Sequence, residues 1–77
     1  MNPRIINGWL VIDTDAPDQA NVEIALLTKN PTAFFPAFRD YEDNRRVAKI
    51  KAEGASGRAV VYVRVDGVET MAGNLTI

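Results

Sequence analysis

Ala59 to Val65 alternates: Ala59, Val61, Val63 and Val65 fall on one side of an extended chain, and Val60, Tyr62 and Arg64 on the other. Successive side chains of a strand point to opposite faces, so β-branched residues spaced by two mark a strand with at least one buried face. Asp66-Gly67 closes the run; glycine takes positive φ at no steric cost, which suits the dipeptide to a tight turn. Such a strand needs a sheet around it, and the other segments have to supply one.

Arg4 to Asp13 carries Ile5, Ile6, Trp9, Leu10, Val11 and Ile12, β-formers with few charges among them. Asn7-Gly8 is a good hairpin dipeptide, but only six residues precede it. The expectation is therefore a bulge or kink there, with the main strand from Trp9 to Asp13. Nearly every side chain of that strand is apolar, so both faces require cover, one from a sheet and the other from a partner or a loop. Asp13 to Asn21, with Pro17 among Asp and Asn residues, reads as a loop. Val22 to Lys29 reads as a second strand, with Val22, Ile24 and Leu26 toward the core and Glu23 and Lys29 outward; Asn30-Pro31-Thr32 breaks it.

Ala33-Phe34-Phe35-Pro36-Ala37-Phe38 then places three phenylalanines within five residues around a proline. In a loop, such a cluster is either a plug over the open edge of the core or a surface patch for a partner. The plug is the blander reading, because a small domain has few other ways to complete its core. Residues 39–53 support two readings. As a helix, they place Asp40, Glu42 and Asp43 early, Arg45, Arg46, Lys49 and Lys51 late, and Gly54 at the end, which matches the helix dipole. The apolar stripe fails, however: Phe38 and Tyr41 are followed by Asn44 and Arg45. As a strand, Arg46 to Glu53 puts Ala48, Ile50 and Ala52 on one face, with Val47, Lys49, Lys51 and Glu53 on the other. Glu53 to Gly57 is then a hairpin loop to the Ala59–Val65 strand. The hairpin is preferred, with Asp40 to Arg45 as a turn or a single helical turn.

A chain of 77 residues is one domain. It buries only about 60% of its extended surface, so a lone monomer is marginally stable. No cysteine staples it, and small domains without staples often oligomerise. Asn7 and Gly8 break the N-terminal apolar run, which argues against a signal peptide. No apolar run approaches the roughly 20 residues that cross a bilayer as a helix. The expectation is a soluble protein made in a cytoplasm. Asn74-Leu75-Thr76 fits the glycosylation sequon, which carries no meaning without secretion.

The net charge of −1 conceals a basic band. Arg45, Arg46, Lys49, Lys51, Arg58 and Arg64 stand against Glu53 alone, giving +5 in that window and −6 elsewhere. Such a band is either a contact for nucleic acid or an acidic partner, or the solvated outer face of a hairpin. It lacks interleaved aromatics apart from Tyr62, so stacking platforms for a nucleic acid are missing. With no histidine and no cysteine, the usual nucleophile–base pairs and imidazole or thiolate metal sites cannot be built. Asp13-x-Asp15-x-x-Asp18 hints at a calcium loop. Counted from Asp13, however, the EF-hand positions 5, 6 and 12 fall on Pro17, Asp18 and Ile24, and the match fails. Gly54 to Arg58 lacks the length and the Lys-Ser/Thr of a P-loop. Paired carboxylates for glycoside hydrolysis would need a cleft that so short a chain can hardly form. These observations point to a non-enzyme without cofactor or metal.

Val65-Asp66-Gly67-Val68-Glu69-Thr70-Met71-Ala72-Gly73-Asn74-Leu75, with Thr76 and Ile77 after it, resembles the V-D-G-x-x-x-M-x-G-N-L segment of bacteriophage tail-fibre and related virion fibre proteins. It covers about 13 of 77 residues and contains no chemistry; Asp66, Gly67, Met71, Gly73, Asn74 and Leu75 carry it. Read from the residues alone, Asp66-Gly67 and Gly73-Asn74 are two ordinary turns of a small β domain. In fibres the segment links a particle-binding region to a long shaft. Here the sequence ends at Ile77, which implies either a short capsid or tail accessory relative or the ordered head of something longer. The resemblance implies a virion structural protein that docks on other capsid or tail proteins, as the particle-binding head of a fibre or a decoration subunit. It also implies a homo-oligomer, often a trimer.

The expected architecture is mostly β: a small antiparallel sandwich or barrel-like domain of four or five strands over residues 1–67, with a short helical turn near 39–45. The alternative is an α+β domain with a helix over 39–53. Residues 68–77 are expected to form a C-terminal arm that docks on a neighbouring chain, because Met71, Leu75 and Ile77 are too few to build a core of their own. The expected partner-binding residues are Phe34, Phe35, Phe38, Met71, Leu75 and Ile77. The alternative function is a phage-encoded inhibitor or nucleic-acid module that uses the basic band.

Overall fold

The computed structural model describes residues 2–27, 33–52 and 54–77. Its strands are β1 (Arg4–Ile6), β2 (Trp9–Asp13), β3 (Val22–Leu27), β4 (Phe35–Pro36), β5 (Phe38–Glu42), β6 (Arg45–Lys51), β7 (Arg58–Val65) and β8 (Val68–Thr76). They form two four-stranded antiparallel sheets, ordered β1-β2-β6-β5 and β4-β3-β7-β8. The sheets pack face to face as a small β-sandwich, and among the described residues there is no helix. The shortest dimension, 17 Å, accommodates two sheets about 10 Å apart.

Three two-residue hairpins set the register. Asn7-Gly8, Asp43-Asn44 and Asp66-Gly67 each have both central φ angles positive, between 48° and 87°. They join Ile6 to Trp9, Glu42 to Arg45 and Val65 to Val68 as directly opposed pairs. This is the turn whose twist matches that of the flanking strands. Asn7-Gly8 is thus a true hairpin and not the expected bulge: three residues before it suffice for β1. Asp43-Asn44 removes both the helical turn expected near 39–45 and the alternative helix over 39–53. Asp and Asn are among the few non-glycine residues that tolerate the left-handed region, so the pair turns the chain without glycine.

Alternation fills the core from both sheets. Leu10 and Ile12 lie opposite Ile50 and Ala48 in the first sheet; Val22, Ile24 and Leu26 lie opposite Val65, Val63 and Val61 in the second. All but Val65, which is partly buried against them, belong to the buried cluster, with Ala59 and Ala72 beside them. The largest fully buried side chains are Leu10, Ile12, Ile24, Val47, Val61 and Val63, so no phenylalanine plugs the core. The plug reading is therefore corrected: branched aliphatics and alanines close the sandwich unaided. Val11 and Val47, at 2% and 1% exposure, lie on the outer face of the first sheet. There Val11 stands between Arg4 and Lys49, and Val47 between Asp13 and Asp40. Both are buried there, so the second face of β2 finds its cover within the chain.

Two connections differ from expectation. β6 lies between β2 and β5 in the first sheet, whereas β7 lies between β3 and β8 in the second, so the two do not pair. In place of the hairpin expected between these strands, the chain passes from the first sheet to the second, with Gly54 and Gly57 at φ 81° and 87°. The chain also passes between the sheets through one residue, Ala37, which joins β4 of the second sheet to β5 of the first. The Ala37 amide donates to the Val22 carbonyl at 2.9 Å and pins the crossing. Strands that switch sheets in this way make the corners of a sandwich.

The stretch 68–77, set apart above as an arm, lies along the chain's own β7 from Val65↔Val68 to Arg58↔Thr76. Reciprocal bonds between Gly57 and Ile77, 3.1 and 2.9 Å, extend the ladder by one more pair. The register shifts between Val61 and Tyr62, whose partners are Gly73 and Met71, so Ala72 is the extra residue of a bulge. Ala72 is buried and Met71 is turned out, the re-aiming a bulge produces. Lys29 and the Asn30-Pro31-Thr32 break lie outside the described residues.

Candidate docking surface

Phe35 and Phe38 flank the corner at Ala37 and are 49% and 62% exposed. Phe34 is half-buried, with the Arg64 guanidinium 4.3 Å from its ring centre. Trp9 meets Phe38 edge-on at 5.6 Å and 87°. Lys49 and Lys51 place their ammonium groups 5.0 and 5.7 Å from the centre of the Trp9 ring, within cation–π range. The register explains the grouping: Phe38 lies opposite Lys49, and Trp9 opposite Lys51, on the outer face of the first sheet. Beside them is a cleft of about 440 Å³ lined by Phe35, Pro36, Phe38, Ile50 and Lys51.

The other expected contact residues lie elsewhere. β4 and β8 are opposite edges of the second sheet, so the fold does not bring Met71, Leu75 and Ile77 to the phenylalanines. Met71 is 59% exposed, and Val68, absent from the expected set, is 67% exposed. Leu75 and Ile77 are half-buried against the core. Trp9 and Lys51 were also missed. Counting by two from Leu10 and Ile12 places Trp9 outward, but which lysines cross from it depends on the β2–β6 pairing, which is not a local signal.

The basic band is largely neutralised. Arg46 meets Asp18 at 3.0 Å, Lys49 meets Asp40 at 3.2 Å, and Arg64 grips Glu23 with two bonds of 3.0 Å. These contacts leave a mark on the carboxyls. The Tyr41 hydroxyl, donating at 2.6 Å, and then Arg46 lower the pKa of Asp18. The Tyr41 amide and then Lys49 lower that of Asp40, and Arg64 lowers that of Glu23. Tyr41 in turn is raised by its bond to Asp18. Asp13 is shared by Arg4 at 3.2 Å and Arg45 at 3.8 Å, and Arg4 also holds Glu42 at 2.7 Å. Two further concavities of about 460 and 400 Å³ flank Asp13–Asp15. Among the described residues, no group of three carboxylates converges as a metal site.

No protein-family model matches the chain, and comparisons with curated proteins and with solved structures find no match.

Proposed function

We propose that the chain is a docking subunit that works through surface contacts and performs no chemistry. In line with the fibre-like segment at 65–75, we read it as a bacteriophage virion structural protein: the particle-binding head of a fibre, or a small decoration subunit. The observation that carries this reading is the exposure of large apolar side chains at two opposite edges of one small sandwich. Phe35 and Phe38 occupy one edge, and Val68 and Met71 the other. A domain that already closes its core with aliphatic residues gains nothing within itself by leaving such side chains in water.

Two separated edges suit a subunit that meets its own copies on one side and the particle on the other. β8 is the edge suited to self-association. It is nine residues long with Glu69 as its only charge, and its outer flank is unpaired among the described residues. Pro3, close to Gly73, guards only its middle. The nucleic-acid reading draws less support, because Arg46, Lys49 and Arg64 are already held by carboxylates.

Truncation after Gly67 would not test the reading, since it removes a strand that contributes Ala72 to the core. Point changes on the exposed side chains do. The expected result is that Met71→Glu and Phe38→Glu chains fold, by circular dichroism, yet fail to enter particles alongside the natural chain. Unchanged incorporation of both would refute the proposal.

A further inference from the structure

The crossing at Ala37 leaves part of the first sheet unpaired. β6 is matched by β5 only as far as Lys49, opposite Phe38; one residue earlier in the chain, the backbone leaves for the second sheet. Ile50 and Lys51 therefore keep their β2 partners, Leu10 and Trp9, and have no strand on the other flank among the described residues. Amides of an antiparallel strand alternate in direction. The Ala52 amide reaches Gly8, on the β2 side, at 2.9 Å, so the peptide groups of Lys51 face the vacated flank. The cleft of about 440 Å³ opens at this place, walled by Phe35, Pro36, Phe38 and Ile50, with Lys51 at its rim. Its size falls within the range of side-chain and small-ligand sites.

Charge selects the occupant. Lys51 is exposed and has no carboxylate partner among the described residues, whereas its neighbour Lys49 is committed to Asp40. We propose that this corner cleft receives an extended acidic segment of a partner protein. One apolar side chain enters between Phe35 and Phe38, a carboxylate beside it meets the Lys51 ammonium, and the segment's backbone pairs with the open flank of Lys51. Strand addition of this kind draws affinity from main-chain bonds and specificity from the side-chain pocket. A nucleic-acid strand suits the place less well: Lys51 is the one cation among the residues that line the cleft, whereas a phosphate backbone draws its affinity from several. The inference rests on the docking reading above and specifies the partner's chemistry for one of its two edges.

Trp9 is the only tryptophan and sits against both Phe38 and Lys51, so its fluorescence reports on the cleft. The probes are a blocked hexapeptide containing Phe followed by two Asp, the same peptide with Lys for Asp, and a thymidine hexanucleotide. The acidic peptide should shift Trp9 emission and bind roughly tenfold or more tightly than the basic one, the scale of one or two close charge contacts. Lys51→Glu should invert that preference, and Phe38→Ala should weaken both peptides while the circular dichroism spectrum is unchanged. Equal binding of the two peptides, no effect of Lys51→Glu, tighter binding of the hexanucleotide, or no binding up to millimolar peptide would each overturn the inference. So would loss of self-association on Phe38→Ala, because a second copy would then be the occupant. The docking reading fails separately, if Phe38→Glu and Met71→Glu chains still enter particles.

Discussion

Arg39 shows how much one side chain can carry without any trace in the sequence pattern. Its guanidinium donates to the carbonyls of Ala16, Pro17 and Ala20 at 2.7, 3.0 and 3.4 Å, tying the 14–21 loop to β5. Its Nε is buried without a partner, so the clamp is bought at some cost. Arg39→Met keeps the stem and removes the donors; we expect a loss of roughly 2 kcal/mol, seen as a fall of about 10 °C in Tm by thermal unfolding. Gly73 is the second such position. Its φ is 147°, and a Cβ there would lie 3.2 Å from two ring carbons of Pro3. Gly73→Ala should therefore destabilise by about 1–3 kcal/mol in denaturant titration, and removing the ring with Pro3→Ala should recover only the steric part. Asn44, at φ 63°, sits where a branched side chain is disfavoured. Asn44→Val should cost about 1–2 kcal/mol, whereas Asn44→Gly should stay near neutral.

At the scale of elements, alternation was the reliable signal and pairing was not. Ala59–Val65 and the stretch read as Val22 to Lys29 could be identified as strands because their apolar residues recur by two, and Trp9–Asp13 because it is a run of β-formers with few charges. Asp43-Asn44 was obscured by the charge gradient across 39–53, which mimics a helix dipole. In the structure those charges are instead matched across strands, as in Asp40 with Lys49 and Glu42 with Arg4. The exposure of Phe35 and Phe38 was equally illegible, since only the crossing at Ala37 decides whether they face in or out. The cross-strand pairs also fix the response to pH. Asp18, Asp40 and Glu23 have pKa values lowered by folding, so their contribution is present above the ordinary carboxylate range and is lost as pH falls through the depressed folded values. Tyr41 is raised, so its contribution is present below the usual phenol pKa of 10.0 and is lost as pH rises through the folded value. Stability measured against pH should thus form a plateau with an acid and an alkaline shoulder. Tyr41→Phe should remove the alkaline shoulder and reduce the acid one, because the same hydroxyl donates to Asp18.

For the whole molecule, the sequence limited the fold to a small antiparallel β domain but could not divide its strands between two sheets. That division depends on which strands flank β6 and β7, a property of the assembled sandwich. It is also what places the apolar side chains in two groups: it sends β4 and β8 to opposite edges and leaves Phe35, Phe38, Val68 and Met71 in water. Covered by a neighbour, Met71 and Val68 would contribute on the order of 1.5–3 kcal/mol each toward association. Sedimentation velocity of the natural chain and of Met71→Glu at micromolar concentration tests this most directly. The account predicts an oligomer for the natural chain and a folded monomer for Met71→Glu; a natural chain that sediments as a stable, folded monomer would contradict it.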